Sequence, residues 1–393
     1  MRTGLTCLVL GYVLSQFYRA FLAVLSPVLK ADLGASANDL AAASGLWFLA
    51  FALTQIPVGA ALDRIGPRRT TAVLLALGGA GGAMVFALAQ GPAGIKAAMV
   101  LIGIGCAPVL MAAYYIFARL YPPALFGTLA GAVIGFGSLG NIAASLPLSA
   151  AVAAFGWRGT LWALAGVTLV AAGAIAAFLP DPDRAEGARQ ASVLDVLKIP
   201  AIWPVLIMMA VAYAPAAGLR GLWTGPYYAD VFGADAAQIG TVTLAMGLAM
   251  VAGNFAYGPL DRVLGTRKWL IFGGNALMAL CLTGLWLAPG AGGWQTAALL
   301  CGVGFFGSSF PMVVAHGRAF MPAHLVGRGV TLINLFAIGT AGLMQIATGR
   351  LHAALADTAG AGAAAPYAGL FLFYAVFVGL GLAVYLFSRD STG

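Results

Sequence analysis

The stretch GAALDRIGPRR at residues 59–69 returns as GPLDRVLGTRK at residues 258–268. In each copy an apolar run ends in glycine, an Asp-Arg pair and a cluster of basic residues, and a second apolar run follows. Such a pattern reads as a short charged loop between two membrane spans. Working outward from it, identities recur at an offset of 199 residues: Pro27 with Pro226, Gly66 with Gly265, Arg68 with Arg267, Gly103 and Gly105 with Gly302 and Gly304, Arg119 with Arg318, and Pro123 with Pro322. Each half of the chain is therefore a copy of one unit.

Composition says what kind of unit it is. Of 393 residues, 62% are hydrophobic and 8% charged, where a soluble protein carries about 25% charged residues. With 20 basic and 12 acidic side chains, a chain of this size cannot cover a water-facing surface. The mean hydropathy of +0.96 and repeated apolar runs of helix length place it in a bilayer. Spans are expected near 5–29, 40–61, 71–90, 95–118, 127–150, 158–179, 201–224, 237–259, 269–288, 295–316, 328–349 and 367–388. The long polar stretch 180–200 separates two sets of six. The expectation is an all-α integral membrane protein of twelve transmembrane helices in two pseudo-symmetric six-helix bundles. Residues 1–180 form the first bundle, 181–200 a cytoplasmic central loop and 201–393 the second bundle. Parallel repeats of this kind imply a central cavity reached alternately from either side.

With the N-terminus inside, only Lys30, Lys96, Arg158, Arg220 and Arg350 fall on the outer side, and most other basic residues fall in cytoplasmic segments. That bias places both termini in the cytoplasm, in a multi-pass protein of the bacterial inner membrane. A nucleic-acid partner is excluded, because the basic residues stand singly between apolar runs instead of sharing a face. Cys7, Cys106, Cys281 and Cys301 lie in apolar segments without a C-x-x-C pair, so neither disulfides nor zinc are indicated. The opening Met1-Arg2 and apolar run read as an uncleaved first span. No room remains for a soluble catalytic domain, and no nucleophile–base pair, metal cluster or nucleotide loop is present. A non-enzyme without cofactor, monomeric, with the bilayer and a small molecule as its partners, is expected.

The two loop copies resemble the signature G-x-L-x-D-R-x-G-x-R-R/K that the major facilitator superfamily carries between its second and third helices. The resemblance extends over the whole chain through the span count and the central loop. It implies a secondary transporter whose inner gate is built by Asp63, Arg64, Arg68, Arg69, Asp261, Arg262 and Arg267. An Asp there can interact with a neighbouring helix N-terminus, and the arginines can pair across the cytoplasmic mouth. The alternative is that these charges only fix topology.

Transport chemistry is expected on the first helix of each half, which lines the cavity in that superfamily. Arg19 is the clear mid-membrane charge, about 21 Å along its span at 1.5 Å per residue. Inserting it costs about 2.5–3.5 kcal/mol, which a cavity, partner or function must offset. Tyr12, Ser15, Gln16, Arg19 and Ser26 form one polar stripe at helical spacing. Arg220, near the repeat partner of Arg19, is followed by Trp223, Thr224 and Tyr227. Two arginines favour a carboxylate or phosphate on the substrate; the alternative has Arg220 snorkelling beside Trp223. Asn334 and Gln345, which share a face of span 11, complete the substrate-binding candidates. Gly127, Gly131 and Gly135 read as a ladder for close helix packing.

Absences are informative as well. All 12 acidic residues lie in loops or at span ends, so no mid-membrane carboxylate carries a proton. The span 4 arginine that the superfamily often links to proton coupling is missing, with Met99 or Leu101 in its place. Span 5 also lacks the G-P-x-x-G-G pattern of drug antiporters. Uniport, exchange or histidine-based coupling remain. His316, His324 and His352 sit near span ends, where a solvated or interfacial histidine is expected. The stretches GLRGLWTGPYYADVFG and TLAMGLAMVAG are similar to a proteobacterial branch holding CcoA-like copper importers and riboflavin transporters. Met246 and Met250, one turn apart, with Met278 would be the thioether ligands if copper were carried, although the importers' His-x-x-x-Met is absent. A small organic solute, with an anion favoured by the arginines, is the leading expectation. Riboflavin and copper follow as alternatives, and a transporter-like sensor or scaffold stands as the reading of another class.

Overall fold

The computed structural model describes residues 2–182, 193–322, 325–358 and 362–390. The first half runs α1 (Arg2–Ala20), α2 (Leu22–Leu33), α3 (Ala37–Arg64), α4 (Pro67–Leu74), a π-helical turn (Leu75–Ala80), α5 (Gly81–Ala87), α6 (Pro92–Leu120), α7 (Pro123–Ala143) and α8 (Leu146–Phe178). After the short α9 (Val193–Leu197) come α10 (Trp203–Gly218), a second π-helical turn (Leu219–Trp223), α11 (Thr224–Phe232), α12 (Ala236–Leu264), α13 (Arg267–Leu287), α14 (Gly293–Phe306), α15 (Phe310–Arg318), α16 (Val326–Ala356) and α17 (Ala365–Tyr385). No strand occurs among the described residues.

Among the described residues ten helical stretches are long and apolar enough to cross a bilayer, and α1 with α2 makes an eleventh, bent by 51°. The 21 residues of α7, apolar along their length, supply the twelfth, about 31 Å long. The fold class is thus the expected one: all-α, membrane-spanning and twelve-helical. Contacts divide the chain into two compact units, Met1–Ala188 with Asp235–Thr241, and Arg189–Ala234 with Val242–Gly393.

The repeat is visible in the backbone. Gly34 and Gly233, 199 residues apart, both end a helix at φ 63°, and Gly66 and Gly265 open the third helix of each half at φ 104° and 61°. Side chains are strained in that left-handed region, so glycine is what lets both copies turn alike. The first helix of each half is also irregular at matching positions. In span 1 the break at Phe21 precedes Pro27, and the Ala23 carbonyl that Pro27 cannot serve accepts the Ser26 hydroxyl at 2.8 Å. In span 7 the π-helical turn precedes Pro226, and Thr224 Oγ1 donates to the Leu219 carbonyl at 2.9 Å. Span 5 differs from expectation: it starts at Pro123 and runs beyond a break at Ala144 until Gly156, at φ 69°, turns the chain into span 6.

Within the first unit α1 packs on α7, and α3 on α6; within the second α10 packs on α16, and α13 on α17. The glycine ladder needs correction at Gly131 and Gly135, while the surroundings of Gly127 lie outside the described residues. Nothing described lies within 4 Å of where a Cβ at Gly131 or Gly135 would stand. The close approach is made one face around, where a Cβ at Gly137 would stand 2.4 Å from Tyr12 Cε1 and one at Gly140 1.9 Å from the Val13 carbonyl oxygen. Between spans 3 and 4 the crossing is equally tight, with Gly105 set against the Gly79 nitrogen at 2.0 Å on the same measure.

Candidate functional site

In the first unit the polar stripe of α1 divides between two neighbours: Tyr12 and Gln16 lie against Gly137 of α7, and the half-buried Arg19 lies against aromatic residues of α3. The Arg19 guanidinium carbon lies 5.2 Å from the Trp47 ring, 5.4 Å from Phe51 and 5.9 Å from Phe48. Trp47 and Phe51 are themselves stacked, 5.2 Å apart and 21° from parallel. Each ring face attracts the cation by about 0.5–2 kcal/mol, so three of them offset much of the cost of placing Arg19 in the span. One turn earlier, Gln16 Nε2 donates to the Tyr12 hydroxyl at 3.1 Å. Gln16 is 9% exposed, and its Oε1 has no hydrogen-bond partner among the described residues. A guanidinium fork and an acceptor oxygen thus stand on one helix face, with Tyr12 behind them.

The second unit holds the other arginine. Arg220 sits in the π-helical turn and is 3% exposed, so it does not snorkel to the surface. Its guanidinium fills the space a side chain at Gly247 would take: a Cβ there would lie 3.0 Å from Nε and 3.1 Å from Nη2. Tyr227 and Gln345 are used in the unit's own packing. The Tyr227 hydroxyl donates to the Pro289 carbonyl. Gln345 Oε1 accepts from Trp223 Nε1 at 3.2 Å and from the Tyr374 hydroxyl at 3.1 Å. Asn334 is half-buried, three turns earlier on α16.

The two copies of the charged loop form local networks, one in each half. Arg119 Nη2, at the end of α6, lies 3.5 Å from Asp63 Oδ1. In the second copy Arg267 Nε lies 3.3 Å from Asp261 Oδ2. Arg68 offers its backbone N–H to Asp181 Oδ1 at 2.9 Å, with its side chain 3.9 Å from the same carboxylate. Arg64 and Arg69 are exposed, and the Arg262 side chain lies outside the described residues. Sequence reasoning missed Asp181 and Asp390. Asp390 Oδ1 accepts from the Lys268 backbone N–H at 3.1 Å and Oδ2 from the Thr266 hydroxyl. In each unit, then, a carboxylate beyond the sixth span caps the second residue of the third span's helix, where it meets the positive helix end. The signal was present as F-x-x-D, Phe178 to Asp181 and Phe387 to Asp390. It lay hidden because its offset of 209 (Asp181 to Asp390) departs from the repeat. Asp390→Ala should cost about 1 kcal/mol and lower the melting temperature, read in detergent micelles; an unchanged value would show that water replaces the cap. Asp63→Asn should leave the melting temperature nearly unmoved, because a half-exposed ion pair contributes only about 0–1 kcal/mol.

The remaining candidates fall elsewhere. Met246 and Met250 touch Gly304, and Met278 touches Gly307, all in the contact with span 10. Met246 and Met250 reach Gly304 through their Cγ atoms and Met278 reaches Gly307 through its sulfur, so these side chains fill gaps left by glycines, as methionine commonly does in cores. The histidines correct the expectation of solvated rings. His316 is fully buried, with Nε2 2.9 Å from the Arg389 carbonyl and Nδ1 2.7 Å from the Tyr385 hydroxyl. His352 is buried between the rings of Trp223 and Tyr367. His324 lies outside the described residues.

A sequence model of the Major Facilitator Superfamily matches residues 8–346. No curated protein sequence matches the chain. Among solved structures, a D-xylose-proton symporter is similar at TM-score 0.79 and 15% identity, over 99% of this chain and 98% of the other. The nucleoside transporter NupG is similar at TM-score 0.76 and 12% identity, over 98% and 99%. A bacterial homolog of the human lysosomal transporter Spinster, inward-facing and unoccupied, is similar at TM-score 0.75 and 17% identity, over 98% and 96%.

Proposed function

Because the chain belongs to the major facilitator superfamily, we propose that it is a secondary transporter moving a small organic anion across the bacterial inner membrane by alternating access. The observation that carries this reading is Arg19, held among three aromatic rings in an apolar span one turn from the buried, unbonded Gln16 Oε1. A planar fork of N–H donors matches a carboxylate or phosphate, and the amide oxygen matches a hydroxyl or amine on the same solute. Arg220 is the second contact, contributed by the other repeat. Asn334 is retained as a polar contact, whereas Tyr227 and Gln345 act by holding the second unit's helices in place. Residues 1–180 and 201–393 are the moving bodies, with 181–200 as a cytoplasmic link and both termini on that side. The gate loops control opening on the cytoplasmic face. The protein works as a monomer, and its function is passage of a solute instead of chemical conversion.

Counterflow into proteoliposomes preloaded with single mono- and dicarboxylates, sugar phosphates or neutral sugars tests this reading. Accumulation with carboxylates or phosphates and none with neutral sugars is expected. Exchange of neutral sugars alone would contradict it.

A further inference from the structure

Among the described residues the acidic side chains, Asp32, Asp39, Asp63, Asp181, Asp195, Asp230, Asp235, Asp261, Asp357 and Asp390, all lie in loops or within a turn of a helix end. A proton moved together with a solute therefore needs another titratable side chain inside the helices, and histidine is the one whose unperturbed titration falls near neutral pH. His316 does not suit the task. The Arg389 carbonyl can only accept, which fixes the proton on Nε2, and Nδ1 takes the Tyr385 hydroxyl proton. Both ring nitrogens are thus engaged in tying α15 to the end of α17.

His352 sits in an aromatic setting. Its ring lies 5.2 Å from Trp223, tilted by 32°, and 4.7 Å from Tyr367. The Trp223 ring, tilted by only 32°, can attract an imidazolium through its face, which offsets part of the cost of charging a buried group, while Tyr367 meets the histidine in an edge-type contact at 62°. The Tyr367 hydroxyl donates to Asp230 Oδ2 at 2.6 Å, and Asp230 is exposed at the end of α11. A carboxylate at the aqueous end of the helices is thereby linked to the aromatic wall of the histidine. On its own helix, Gln345, Thr348 and His352 share one face, along which Trp223 lies with Nε1 bonded to Gln345 at 3.2 Å and Thr348 at 3.1 Å. Trp223 closes the π-helical turn that carries Arg220. Of the titratable and charged groups around His352, Tyr367 of α17 touches its ring, with Tyr227 of α11 5.2 Å from Tyr367 and Asp230 hydrogen-bonded to the Tyr367 hydroxyl. Arg350 on its own helix is exposed.

We propose that His352 is a proton-binding site of this transporter, set in a box of Trp223 and Tyr367 and reached from the Asp230 end of the second unit. The proton comes from water at that end and adds to an imidazole ring nitrogen; no bond is broken within the protein. The added charge sits one aromatic ring away from the turn that holds Arg220. A second cation there is best balanced by an anion, so proton and anion favour each other's binding. That last step rests on the anion reading, whereas proton binding itself does not.

Trp223 supplies the readout, because an imidazolium against an indole quenches its fluorescence. Full-length protein in lipid nanodiscs is titrated between pH 5 and 8 with no solute present. The wild type is expected to lose emission reversibly as the pH falls, and this quench is absent in His352→Gln and in Trp223→Phe but kept in His316→Gln. A quench that persists in His352→Gln, or no titration of the wild type in that range, overturns the proposal. Should His352→Gln fail to fold, Trp223→Phe alone decides: the wild-type quench must vanish with it. None of these outcomes depends on which solute is carried, so failure here is distinguishable from failure of the anion reading.

Discussion

Arg19→Ala is expected to weaken organic-anion binding by about 10- to 100-fold, since a hydrogen bond to a charged group contributes about 1.5–3 kcal/mol and each 1.4 kcal/mol is tenfold. Folding should survive the change. Arg19 is half-buried, so its removal leaves no sealed cavity, and its loss frees the insertion cost that Trp47, Phe48 and Phe51 now offset. Arg19→Lys should restore only part of the affinity, because an ammonium gives a point charge without the planar fork. On the second helix the matching experiment keeps the charge and removes its seat. Gly247→Leu puts a side chain where the Arg220 guanidinium lies, 3.0 Å from the Cβ position, and should lower uptake at least as much as Arg220→Lys. Counterflow rates in proteoliposomes, normalised to the amount of folded protein, read all four variants. Undiminished counterflow in Arg19→Ala would remove the first-helix site.

Gly105→Leu and Gly140→Leu should be the most destabilising single changes in the first unit. At Gly105 a Cβ would stand 2.0 Å from the Gly79 nitrogen, and at Gly140 1.9 Å from the Val13 carbonyl oxygen. Neither neighbour is the tip of a flexible side chain, so whole helices must move apart. Overpacking of well-packed sites costs about 1–3 kcal/mol and at times more, against a total stability of about 5–15 kcal/mol. Gly131→Leu is the control, because the corresponding space is open. Size-exclusion profiles and melting temperatures in detergent should show both crossing variants aggregated or strongly destabilised and the control unchanged. A normal melting temperature for Gly140→Leu would mean that α1 and α7 do not pack as closely as described.

How far the sequence could be read follows from the range of each signal. Apolar run lengths and the offset of 199 residues (Pro27 to Pro226) are local or periodic properties, and they gave twelve spans and two copies. The polar stripe on α1 was legible because 3.6-residue spacing puts Tyr12, Gln16 and Arg19 on one face. The aromatic ring around Arg19 was not, since W-F-x-x-F at residues 47–51 carries no mark of which helix it will face. Helical periodicity also defines a face without saying what meets it. The ladder at Gly131 and Gly135 was a sound pattern on the open side of α7, while Gly137 and Gly140 make the contact. Histidine burial was misjudged because span ends were equated with water. In fact α16 continues to Ala356, and Trp223 and Tyr367 close over His352.

The most direct test is a thermal-shift comparison of the purified wild type and Arg19→Ala against carboxylates, sugar phosphates, neutral sugars, flavins and Cu(I). A ligand that binds the folded state raises its apparent stability by RT ln(1 + [L]/Kd), about 2.7 kcal/mol at a hundredfold excess over Kd. The account predicts that one or more organic anions raise the wild-type melting temperature and that this rise disappears in Arg19→Ala. Stabilisation by Cu(I) alone, kept in Arg19→Ala and lost in Met246→Ala with Met250→Ala, would contradict it and make the chain a metal carrier.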